Sequence, residues 1–195
     1  MACEDYIMKK LIFFIAILTT LSSAKEGTLT KIVDGDTLHF QTDNKDYTCK
    51  IAYINTPESS INNQLKHDIG ACQNISTKLM LSAGESATQH ANKLLKVGSS
   101  YKYSTYTKNN EQICEISLGN GITFSEKMLL DGYAVLWQVS KKQKEEQNFN
   151  SVLDHAKSKN NGLWANKSEK SKAIKCLDKI SRQGLRTSKY SLPSK

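Results

Sequence analysis

The sequence predicts an α+β protein with a mainly β core, a five-stranded barrel accompanied by about three helices. Three observations predict it. Five short runs, at 27–33, 37–42, 46–54, 100–107 and 111–118, read as strands, and 46–54 and 100–107 carry the two-residue alternation. One amphipathic helical stretch separates the third run from the fourth. Two more helical patterns follow the fifth. At 195 residues the chain is one domain plus ends, long enough to bury a real core.

Taken in order, residues 27–33 and 37–42 are joined by the Asp34-Gly35-Asp36 turn, where Gly35 supplies the backbone freedom a tight turn needs. Asp43-Asn44 marks the next turn. Residues 46–54 place Tyr47, Cys49, Ile51 and Tyr53 on one face, and Pro57 ends the strand because proline cannot continue a ladder. Residues 59–81 are polar, rich in Asn and Ser, and without a clean period. They read as an inserted, partly ordered loop that can carry a short helix, with His67 and Asp68 as either extra ligands or solvated side chains.

Ser82-Ala83-Gly84-Glu85 has the form of a capping box, which opens a helix by satisfying its orphan N–H groups. Ala87, Ala91, Leu94 and Leu95 then form one apolar face, and Gly98 is the stop signal. His90 beside that face reads as structural. Tyr101, Tyr103 and Tyr106 alternate along the fourth strand; they suit base stacking, and equally suit a strand that simply favours aromatics. Thr123-Phe124-Ser125-Glu126 is a second capping box, opening a short helix that ends at Gly132. The last helix follows Ser140–Gln143 with Phe149, Val152, Leu153 and Ala156 on one face. It ends at Asn161-Gly162, and Trp164 is expected to pack back on the barrel. Five strands with an interposed helix and terminal helices suggest a barrel of the oligonucleotide-binding type.

The formal net charge of +8 allows an anionic partner. That charge is local. Residues 25–164 carry 16 Lys against 15 acids, whereas residues 165–195 carry nine Lys or Arg against two acids. Residues 167–195 therefore read as a basic C-terminal tail. If 171–182 is helical, Lys172, Lys175, Lys179, Arg182 and Arg186 form a phosphate-binding stripe; a solvated tail is the alternative.

Residues 1–24 have the form of an export signal. Lys9-Lys10 precede the apolar run Leu11–Leu18, and Ser22-Ser23-Ala24 offers a cleavage site, with Met8 a possible true start. A buried N-terminal helix is the alternative. The run is short for a bilayer span, so no stable span is expected after removal of the signal, and the expected location is secreted or periplasmic. Cys49, Cys72, Cys114 and Cys176 then remain, an even number that allows three disulfide pairings or four buried thiols. No Cys-x-x-Cys or close Cys/His spacing suggests zinc.

Two loops concentrate the chemistry. Val33-Asp34-Gly35-Asp36-Thr37 and Ile54-Asn55-Thr56-Pro57-Glu58 each close an apolar run with oxygen donors, which hard cations prefer. A carboxylate beside a cation can also position a water. In order with Leu129-Leu130-Asp131-Gly132-Tyr133-Ala134 and Asn161-Gly162-Leu163-Trp164-Ala165, these motifs resemble the staphylococcal nuclease (thermonuclease) family over roughly residues 27–166.

The resemblance implies a monomeric, SNase-like barrel that hydrolyses DNA or RNA with Ca²⁺, or with Mg²⁺ or Mn²⁺. It implies Asp36 and the Thr56 carbonyl as metal donors, with Asp34 nearby, and Glu58 as the group that activates water. Asn55 stands where the family has a second aspartate, Lys50 where it has one phosphate-binding arginine, and Glu111 where it has the other; Lys108 is the nearest replacement cation. Tyr101, Tyr103, Lys108 and the tail residues Lys172, Lys175 and Lys179 are the expected nucleic-acid contacts. The resemblance also puts Cys49 and Cys114 on barrel strands and so implies Cys49–Cys114, with Cys72 then paired to Cys176. Because these substitutions reduce charge at the site, a non-catalytic nucleic-acid-binding module and a periplasmic protein-interaction domain stand as alternatives to the nuclease.

Overall fold

The computed structural model describes residues 25–43, 45–108, 110–137 and 143–182. The proposed signal, Arg186 and the end of the basic tail lie outside them.

Five strands close the expected barrel. They are β1 (Lys25–Ile32), β2 (Thr37–Thr42), β3 (Lys45–Ile51), β5 (Ser100–Lys108) and β6 (Glu111–Gly119). Antiparallel ladders run in the order β3-β2-β1-β5-β6. A short parallel seam pairs Lys50 with Ile113 and Ile51 with Cys114, and joins β6 back to β3. The Cys49–Cys114 disulfide crosses this seam. Closure leaves the barrel without an open edge. Leu29, Leu38, Phe40, Cys49, Ile51, Tyr103, Cys114 and Ile116 fill its interior.

The third strand departs from its expected course. Regular pairing stops at Ile51. Tyr53 takes a left-handed conformation with φ +64°, and the chain kinks before the two-residue strand β4 (Ile54–Asn55) pairs with β8 (Val135–Leu136). The kink resets the alternation, so Ile54 is buried, and Tyr53 stacks on Phe149 instead of continuing the Tyr47–Cys49–Ile51 face.

Among the described residues there are five helices and one 3₁₀ turn, more than the three expected. Residues 59–81 are more ordered than their composition suggests. They hold α1 (Asn63–Ala71), capped by Asn62, and the start of α2 (Thr77–Leu94), capped by Ser76. Ser82–Glu85 therefore lies inside α2 and is not its start, and the helix ends at Leu94, ahead of Gly98. Helix α3 (Phe124–Leu130) does begin at Thr123, whose Oγ1 accepts from the Glu126 N–H at 3.2 Å. A two-residue strand, β7 (Ile122–Thr123), precedes it. Helix α4 (Gln143–Lys159) buries Phe149, Leu153 and Ala156, and Trp164 is buried in the 3₁₀ turn with Lys157 Nζ 4.8 Å above its ring.

Helix α5 (Lys170–Arg182) falls in the segment read as a tail. Ala173, Ile174, Leu177 and Ile180 on one face are buried, while Lys172, Lys175, Lys179 and Arg182 are exposed on the other. The Cys72–Cys176 disulfide ties it to the end of α1. No described helix is long and apolar enough to cross a membrane.

Candidate active site

The turn between β1 and β2 and the loop after β4 meet where β3 ends. Their meeting is fixed by backbone bonds. The Ile51 N–H donates to the Asp36 carbonyl at 2.8 Å, and the Thr56 N–H donates to Asp36 Oδ2 at 3.0 Å. Asp34 Oδ1 accepts from the Asp36 N–H at 3.1 Å, an Asx turn that fixes both acids. Gly35 is required here by space, because a Cβ would meet the Thr56 side chain at 2.8 Å.

Asp34, Asp36, Asn55, Thr56 and Glu58 are all buried. Lys50 Nζ sits 2.5 Å from Asp36 Oδ1 and donates to Thr37 Oγ1 at 3.2 Å. Asn62, the cap of α1, donates from Nδ2 to Glu58 Oε2 at 2.8 Å. Burial pushes the Asp34 carboxyl up to about 8, helped by the negative charges of Asp36 and Glu58 and opposed by Lys50. Three acids therefore share one pocket of charge with a single ammonium.

That raised value has a testable consequence. The folded protein keeps the Asp34 proton up to about pH 8, whereas the unfolded chain loses it near the ordinary 3.8. Between those values the unfolded state binds fewer protons. Stability without metal therefore falls as pH rises, by up to about 1.4 kcal/mol per pH unit from this group. Asp34→Asn keeps the acceptor for the Asp36 N–H and removes the charge. Thermal unfolding in chelator should show a higher Tm than wild type at pH 8, and a difference that shrinks towards pH 4.

The other expected site residues divide. Tyr103 is not a stacking platform: it is buried against Phe40 and Tyr47. Tyr101 is half-buried, and its hydroxyl accepts from the Lys96 N–H at 2.7 Å. Lys108 lies 5.8 Å from the Trp137 ring, and exposed Glu111 pairs opposite it in the ladder. Asp68 is buried on α1, where Gln64 Nε2 donates to it at 2.6 Å. His90 bonds Asp131 at 2.7 Å and stacks on Tyr133; burial keeps its pKa below the usual range despite Asp131.

A profile of staphylococcal nuclease homologues matches residues 48–166. The chain belongs to this family. The comparison with curated proteins found no match. The staphylococcal nuclease match begins at Thr48, after the Asp34–Asp36 turn, and ends before α5. The Asp36 bonds to Ile51, Thr56 and Lys50, and the bond from Ser59 Oγ to the Val33 carbonyl, join the first loop to the matched region.

Members of this family use Ca²⁺, so the donors present must be tested against such an ion. Among the described residues no group of three or more His, Cys, Asp or Glu side chains forms a metal cage. A hard ion would instead rest on Asp36 with neutral oxygens and water, a coordination that Ca²⁺ and Mg²⁺ accept. Asn55 Oδ1 and Thr56 Oγ1 are buried with no hydrogen-bond partner. Two unpartnered buried oxygens on the loop whose Thr56 N–H bonds Asp36 are donors of the kind a hard cation takes, so the residues fit one.

Three contributors escaped the sequence. Asn62 holds Glu58. Ser181 on α5 accepts from Asn55 Nδ2 at 3.1 Å. Gly84 lets α2 approach the backbone of Glu58 and Ser59. Only Gly84 left a signal, as an isolated glycine within a helical pattern.

Proposed function

We propose that this protein is an exported, metal-dependent nuclease that hydrolyses phosphodiester bonds in DNA or RNA. The observation that carries the proposal is the convergence of buried Asp36 and Glu58 with half-buried Lys50 around Asp34. Two disulfides suit the oxidising space outside the cytoplasm, secreted or periplasmic, and the motif at residues 9–24 supplies a route there.

Asp36 would hold the cation, with Asn55 and Thr56 lending oxygens and Asp34 close by. When bound, the cation polarises the phosphoryl oxygen and offsets the charge that builds during attack. Glu58, oriented by Asn62, takes the proton of the attacking water. The water oxygen bonds to phosphorus, one P–O ester bond breaks, the leaving oxygen takes a proton from solvent water, and Glu58 returns its proton to solvent. Lys50 supplies a positive charge for a phosphate oxygen, though without the bidentate fork of an arginine. The exposed lysines of α5 are proposed as backbone contacts away from the site, and Lys108 as one nearer to it.

A second reading, a binding module without catalysis, is favoured by one contact: the Lys50 ammonium already occupies Asp36. Cleavage of single- and double-stranded DNA and of RNA decides between them, with Ca²⁺, Mg²⁺, Mn²⁺ or chelator. Metal-dependent products support the nuclease. No product with any metal, together with salt-sensitive binding, rejects it. In the same samples, replacing Lys172, Lys175 and Lys179 by Gln should flatten the dependence of log affinity on log salt. The change is about one unit for each phosphate that a lysine no longer neutralises. An unchanged slope removes α5 from the interface.

A further inference from the structure

Asn55 poses a chemical problem that an aspartate would not. A carboxylate offers an oxygen on both branches, so either rotamer can face a cation. A carboxamide offers an oxygen on one branch and two N–H donors on the other, and the donor branch repels a cation. An asparagine ligand therefore works only if something fixes its orientation.

Here the donor branch is anchored. Asn55 is fully buried, and its Nδ2 donates to Ser181 Oγ at 3.1 Å across 126 residues of sequence. Its Oδ1 is buried with no hydrogen-bond partner. The next residue, Thr56, donates its N–H to Asp36 Oδ2. Ser181 is itself buried on α5, beyond the residues that match the family. That helix is fixed by the Cys72–Cys176 disulfide, by the 2.6 Å Lys157–Asp178 ion pair, and by the bond from Lys170 Nζ to Ser86 Oγ at 2.7 Å.

We infer that Ser181 is a positioning residue for the metal site: by accepting the Asn55 N–H it leaves the Asn55 oxygen as the group offered to the cation. The inference rests on the metal-dependent reading above. Helix α5 thereby fills the Nδ2 branch of Asn55 and leaves Oδ1 unpaired, without the charge that an aspartate would carry.

The test is calorimetric titration of Mn²⁺ and of Ca²⁺ into metal-free protein, with no nucleic acid present. The proteins are wild type, Ser181→Ala, Asn55→Asp and the double variant. Ser181→Ala should weaken metal binding about 10- to 100-fold, the range for losing a partner that orients a ligand. In the Asn55→Asp background the same change should cost little, because an aspartate needs no orienting. Equal losses in both backgrounds would mean that Ser181 only supports the fold, and would overturn the inference. So would wild-type affinity in Ser181→Ala. If Ser181→Ala fails to fold in chelator, Ser181→Thr, which keeps the hydroxyl, must retain wild-type affinity. A wild-type protein that binds neither metal overturns the metal reading and this inference with it, whereas metal binding indifferent to Ser181 overturns this inference alone.

Discussion

Replacing Glu58 by glutamine is expected to lower the rate of metal-dependent cleavage by about 10²- to 10⁴-fold, the usual worth of a positioned general base. Glutamine has nearly the same shape and keeps a side-chain oxygen for the Asn62 N–H that holds Oε2 at 2.8 Å. What it loses is the capacity to take a proton. The substitution also removes one negative charge from beside Asp34 and Asp36, so the metal-free fold should be no less stable. Single-turnover cleavage and thermal unfolding, measured on the same samples, separate the two effects. An unchanged rate with an intact fold would remove Glu58 from the chemistry. A collapsed Tm would mean that its role is structural.

The second large effect concerns a residue with no side chain. In most exposed helix interiors Gly→Ala stabilises by about 1 kcal/mol. At Gly84 the sign should reverse. A Cβ there would strike the Glu58 carbonyl group, and it would lie 2.7 Å from the Ser59 nitrogen. Both obstacles are backbone, so neither can rotate aside. Either α2 moves off the barrel or the Glu58 loop is displaced. Gly84→Ala is expected to destabilise the protein by about 3 kcal/mol, the upper part of the range for overpacking. Cleavage by the protein that remains folded should fall about 100-fold, because a shift of about 1 Å in a reacting group costs that much. Denaturant unfolding checks the first number and cleavage kinetics the second. An alanine variant as stable as wild type would show that α2 does not press on the loop.

The barrel was legible in the sequence because its strands alternate, and alternation is a local property. The two acidic loops were legible because each is a contiguous motif. What was not legible arises between elements. The start of α2 escaped because Ser76 caps it with Leu79, not a glutamate, at the third helical position, while Ser82–Glu85 imitates a start inside the helix. Tyr103 fits the same alternation whether it faces the core or a nucleic acid; only barrel closure decides that it packs on Phe40. Asn62 and Ser181 look like ordinary polar residues until folding sets one against Glu58 and the other against Asn55. The charge pattern at 165–195 was real, but it concealed an apolar face. Ala173, Ile174, Leu177 and Ile180 repeat at helical spacing beneath the lysines.

That buried face bears on when the protein can become itself. Residues 170–182 are synthesised after every strand of the barrel, yet they cover apolar surface that belongs to the rest of the domain. A chain still emerging from a ribosome has its barrel strands early, but lacks the helix that seals them. Cys176 likewise reaches Cys72, 104 positions earlier, only once nearly the whole domain has cleared the exit. Completion of the domain is therefore timed by the arrival of helix α5. A chain held in a reducing space would have its strands, but not the covalent tie that anchors helix α5 beside Asn55.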